Sequence, residues 1–189
     1  MKHINQIIFI FSLFITGLSH AMLPPLHQAV LDGNLEQVQH LLDAGAEVNA
    51  VAEEDGFTPL HFASHLGNET IVSRLLGAGA RVDVADRYGF RPLHWAAGNG
   101  HETVVNLLLN RGADINNPTQ EGYTPLFWTV FNDQFNDRKS VVKLLLTRGA
   151  NVKTATKEGA TPLDCAKQYN RTEVATLLRH WIKSKKILD

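Results

Sequence analysis

Hydrophobic positions along the chain fall into short blocks that recur. Paired leucines stand at Leu41-Leu42, Leu75-Leu76, Leu107-Leu108, Leu144-Leu145 and Leu177-Leu178. Each pair predicts a short helix with one apolar face. Ahead of each lies a second short apolar block opened by Pro-Leu, at Pro25, Pro59, Pro92, Pro125 and Pro162. Thr58, Thr124 and Thr161 precede three of those prolines. Thr then Pro is an N-cap followed by the first helical position, where a missing N–H costs nothing. Gly33, Gly67 and Gly100 close the first helices, and Gly45, Gly79, Gly112 and Gly149 close the second ones, as left-handed C-terminal residues do. Between units, Val48, Val82, Ile115 and Val152 alternate with polar residues and lead through Gly56, Gly89, Gly122 or Gly159 to the next cap. That pattern predicts an extended turn.

The prolines are 34, 33, 33 and 37 residues apart. Such a period marks a solenoid. The helices are too short to stand alone, so stacking must bury their leucine faces in one continuous core. The motifs are Thr58-Pro59-Leu60-His61-Phe62-Ala63, Arg91-Pro92-Leu93-His94-Trp95-Ala96, Thr124-Pro125-Leu126-Phe127-Trp128-Thr129 and Thr161-Pro162-Leu163-Asp164-Cys165-Ala166. With Gly-Ala twenty residues after Pro25, Pro59 and Pro92 and twenty-four after Pro125, they make the chain similar to ankyrin-repeat proteins over nearly all of residues 22–189. The resemblance implies an all-α repeat solenoid of right-angled, L-shaped units, each a helix-turn-helix with a β-hairpin finger. The units are expected at 25–57, 58–90, 91–123, 124–160 and 161–189. Fingers and first helices would then line a concave groove.

Residues 1–21 read as a signal peptide. Lys2 and His3 precede the apolar run Ile7 to Leu18, and Ser19-His20-Ala21 places small residues for cleavage. Twelve helical residues span about 18 Å, short of a roughly 30 Å hydrocarbon core. The expectation is an exported protein, periplasmic or secreted, with no membrane association after cleavage.

Three departures stand out. Pro24 replaces the first capping Thr, as suits a terminal unit. Arg91 stands where Thr caps elsewhere and offers no acceptor, so Arg91→Thr is expected to stabilise. The fourth unit carries four extra residues within Phe131 to Ser140, read as one further turn of helix over Asn132 to Asn136, with Phe131 and Phe135 on one face.

The chain holds no nucleophile elbow, phosphate-binding glycine loop or zincin motif. His61 and His65 are four apart, but no third metal ligand is evident. The resemblance implies instead that His27, His61 and His94 tie neighbouring loops by hydrogen bonds. Cys165, the single cysteine, sits at a helix-core position and excludes an internal disulfide. No cofactor and no metal is expected.

What remains is surface. Phe57, Phe90 and Tyr123 recur every 33 residues just before the cap, a position that the resemblance places on the concave side. They form the expected binding ladder, while Trp95 and Trp128 are read as core. The candidate protein-binding set is Phe57, Arg87, Tyr88, Phe90, Tyr123, Phe131 and Phe135. Charge is polarised: 22–57 carries seven acids and no Lys or Arg, whereas 138–189 carries twelve bases against four acids. The formal net charge of −1 argues against a nucleic-acid binder. The expected function is non-enzymatic protein binding by a monomer, with weak head-to-tail association open through its charged ends. An alternative is an exported effector or inhibitor that occludes another protein's site.

Overall fold

A computed structural model of the chain describes residues 23–53, 55–132 and 138–186. Residues 1–21, the expected signal peptide, lie outside them. Five helix pairs follow one another: α1 (Pro25–Leu31) with α2 (Leu35–Asp43), α3 (Pro59–Leu66) with α4 (Glu69–Gly77), and α5 (Pro92–Gly98) with α6 (Glu102–Asn110). Then come α7 (Pro125–Phe131) with α8 (Lys139–Thr147), and α9 (Pro162–Gln168) with α10 (Thr172–Lys186). First helices pack on first helices and second on second along the stack. The protein is an all-α repeat solenoid.

Leucine pairs divide between two environments. Leu75, Leu108, Leu145 and Leu178 are fully buried, while Leu76, Leu107, Leu144 and Leu177 pack only partly against the core. At α2 both Leu41 and Leu42 are partly buried, and Val38 alone is fully so. Among the described residues the first pair packs against the second pair alone, and both its leucines are only partly buried.

Glycines sit where the chain reverses. Gly67 closes α3 at φ 73°, and Gly56, Gly89, Gly122 and Gly159 turn the loops at φ 77–87°. Each loop closes on two backbone bonds, such as Asp86 N–H to Phe90 O at 2.8 Å with Gly89 N–H to Asp86 O at 3.0 Å. Neighbouring loops join through Arg87 N–H to Asp55 O, Gln120 N–H to Tyr88 O and Lys157 N–H to Glu121 O, at 2.8–3.2 Å. Among the described residues these fingers contain no strand. They are hydrogen-bonded turns rather than hairpins. Side chains add rungs that the periodicity did not reveal: Asn49, Asp83 and Asn116 accept from the N–H of Arg81, Asp114 and Asn151 in the next unit.

Two local expectations need correction. Arg91 accepts nothing from the first turn of α5, but its guanidinium donates to Gly89 O (3.2 Å) and Pro118 O (3.3 Å). Those bonds offset the gain expected from Arg91→Thr. Helix α7 ends at Phe131, with Asn132 as its cap. The extra turn therefore does not begin at Asn132, and residues 133–137, including Phe135, lie outside the described residues.

One helical glycine owes its place to packing. A Cβ on Gly98 would lie 2.4 Å from Trp128 Nε1, and Trp128 is fully buried. Gly→Ala inside a helix ordinarily stabilises by about 1 kcal/mol. Here the sign reverses: Gly98→Ala is expected to cost roughly 1–3 kcal/mol through overpacking, read as a lowered thermal midpoint by circular dichroism. An unchanged or raised midpoint would show that Trp128 can yield.

Candidate binding surface

The periodic histidines tie each first helix to the base of the finger that follows it. His61 Nδ1 accepts from the backbone N–H of Thr58 (3.0 Å), so its proton lies on Nε2, which donates to Phe90 O (3.3 Å). His94 repeats this with the N–H of Arg91 (3.2 Å) and Tyr123 O (2.9 Å). His27 Nε2 meets Phe57 O at 3.0 Å. Burial strips water from the cationic form, and holds His61 down at about 4 and His94 at about 3. At neutral pH both rings are uncharged, with both nitrogens engaged. The structural role implied for these histidines is what the geometry shows.

His65 does not join His61. Its ring packs edge-on to Trp95 (5.6 Å) and its Nδ1 lies 2.7 Å from Asn99 Nδ2, while His101 Nε2 donates to its backbone oxygen. Among the described residues no three His, Cys, Asp or Glu side chains converge where a metal ion would sit. The Cys165 thiol is buried and pushed up to about 12 by desolvation. It is protonated and unreactive as a nucleophile.

The expected aromatic ladder splits. Phe57 and Phe90 are core residues, 1% and 2% exposed, not groove residues. Phe57 lies 5.5 Å from Trp95, and Phe90 lies 4.6 Å from Trp128, so a tryptophan 38 residues later covers each ring. Tyr123 has no such cover, because Cys165 stands where the next tryptophan would be. It stays half-buried, stacked on Phe127 at 5.1 Å and on Phe131 at 6.0 Å. Trp95 and Trp128 are buried, as expected.

Arg87 is exposed, but its guanidinium donates to Glu53 O at 2.8 Å and braces one finger on the next. Tyr88 and Phe131 are half-buried against the core. Phe131 meets Tyr169 edge to face at 5.4 Å. The structure thus brings together Tyr123, Phe131 and Tyr169. Tyr169 escaped the sequence reading because it repeats nothing: Asn132 and Asn99 hold its place in earlier units. A buried carboxylate also escaped it. Asp86 accepts from the N–H groups of Tyr88 and Phe90. Burial nevertheless pushes it up to about 7. Thr119 and Thr156 occupy that position in later fingers, so its residue type carried no periodic signal.

A family model of ankyrin repeats in three copies matches residues 26–119 and 114–187. Over 64 residues the chain is 44% identical to protein phosphatase 1 regulatory subunit 27 of Mus musculus, covering 34% of this chain and 41% of that protein. Over 51 residues it is 45% identical to the Notch-regulated ankyrin repeat-containing protein of Xenopus tropicalis, covering 27% and 44%. Over 53 residues it is 47% identical to the 2-5A-dependent ribonuclease of Homo sapiens, covering 28% and 7%. The chain spans less than half the length of each of these relatives.

Proposed function

Because the chain belongs to the ankyrin-repeat family, a protein-interaction module, we propose that it is a non-enzymatic binding protein that holds its partner along the fingers and first helices. The repeats themselves are not catalytic, although enzymes such as the ribonuclease carry them. The observation that carries the reading is the half-exposed aromatic surface of Tyr123, Phe131 and Tyr169, set on a scaffold tied rung to rung. Few residue types supply as much binding energy as large aromatics held in place. Export is supported by the apolar run Ile7 to Leu18 and the small residues of Ser19-His20-Ala21. On that reading the partner is met in the periplasm or outside the cell.

The test begins with chemical cross-linking and capture to obtain the partner, followed by titration. Tyr169→Ala and Tyr88→Ala are expected to weaken binding about tenfold or more while the protein stays folded. Lys185→Ala, at an exposed position near the end of α10, should change little beyond a salt-dependent association rate. Normal binding by both tyrosine variants would move the interface elsewhere.

A further inference from the structure

Three fingers end in a ring that packs on a second ring five residues later. Phe57 meets Phe62 at 5.4 Å, Phe90 meets Trp95 at 5.2 Å, and Tyr123 meets Trp128 at 6.1 Å. In the fourth finger both members are small: Ala160 is followed five residues later by Cys165. A cavity of about 70 Å³ remains there, lined by Tyr123, Phe127, Phe131, Ala160, Cys165 and Tyr169, among others. The rings on one side are near-parallel, with Tyr123 and Phe127 6° apart and Tyr123 and Phe131 11° apart. Tyr169 stands across them, at 85° to Phe131.

We propose that this cavity is a subsite for a planar aromatic ring, supplied by a phenylalanine or tyrosine side chain of a protein partner. The chain itself is the template, since it places a ring at this position in the three preceding fingers. A ring entering beside Ala160 would restore the missing contact with Cys165, five places later, and would meet Phe127 and Tyr169 of the cavity wall. Aromatic faces also attract cations, and Glu158 lies on the rim. The template decides against a cation: each of the three preceding fingers places an uncharged aromatic ring here, packed on the residue five places later.

The subsite deepens the binding reading above and rests on it for its occupant, but the probes below are free small molecules. Their failure would leave protein binding standing, and a partner that docks elsewhere would leave the subsite standing. The experiment is a nuclear magnetic resonance titration of the full protein with p-cresol, with toluene, and with methylguanidine as the cationic comparison. Saturable shifts confined to Ala160, Cys165, Tyr169 and their neighbours are expected for the two aromatics, with dissociation constants of about 1 mM. Ala160→Phe, which rebuilds the ring pair from within, should abolish those shifts and raise the thermal midpoint by about 4 °C. The proposal is overturned by absence of saturable shifts in the unmodified protein, by equal binding of methylguanidine, or by unchanged p-cresol binding in a folded Ala160→Phe. The titration of the unmodified protein decides the matter even if that variant fails to fold.

Discussion

Replacing Phe90 with alanine is expected to destabilise the protein by roughly 3–5 kcal/mol, the usual cost of removing a fully buried ring. Its ring lies 5.6 Å from His94, 5.2 Å from Trp95 and 4.6 Å from Trp128. Both tryptophans are themselves buried, so the site cannot collapse to fill the gap. Helices α5 and α7 meet through these rings, and the loss would strike the middle of the solenoid. Thermal denaturation followed at 222 nm should show a midpoint lower by about 8 °C or more. Any weakening of partner binding in this variant would be a by-product of unfolding. A midpoint within about 2 °C of the parent protein would refute the placement of Phe90 in the core.

Acidification from pH 7 to pH 4 is expected to cost the protein several kcal/mol and to unfold it. His61 and His94 are held below the ordinary 6.5, at about 4 and about 3. Between those values and 6.5 the unfolded chain takes up protons that the folded chain refuses. The stability they contribute is present above pH 6.5 and lost as the pH falls, roughly 3 kcal/mol each by pH 4. His65, lowered to about 3 by burial, acts in the same direction. Asp86 opposes them. Its folded value of about 7 lies above the ordinary 3.8, so it adds stability as the pH falls from 7 towards 4. One carboxyl offsets about one histidine, and the net loss remains near the whole stability of a small domain. Protonation also has a structural reading: a proton on Nδ1 of His61 or His94 removes the acceptor for the Thr58 or Arg91 N–H. Ellipticity against pH should fall with a midpoint between about 4 and 6. A protein still fully folded at pH 4 would contradict the burial of these rings.

The solenoid was legible because its determinants are local. Pro-Leu, the left-handed glycines and the leucine pairs each act within a few residues, and each recurs. Exposure at equivalent positions was not legible, because the neighbouring unit sets it. Phe57, Phe90 and Tyr123 share one register, yet Trp95 and Trp128 cover the first two rings while Cys165 leaves the third half-open. Reading that split required comparing each ring with the residue about 38 positions later, not with its own period. Arg91 is no cap, as its residue type implied, but its compensating contacts were not legible. Its partners Gly89 and Pro118 lie outside the helix it precedes.

Among the described residues the side-chain ties along the stack span roughly one period. The histidine bonds join residues 29 or 30 apart, and Asn99 reaches His65 across 34. Arg148 grips Asn106 and Asn110 across 42 and 38. Under tension applied at its two ends, such a chain loads its junctions in series, each bearing the full force and none sharing it. Extension then proceeds unit by unit, and the order follows the quality of each junction. Between the fourth and fifth units Phe127 stands where a histidine would donate to Ala160 O, and the ring pair of that finger is missing. Pulled from both ends, the solenoid is a spring of unequal coils, and those short of such ties carry the load with least resistance.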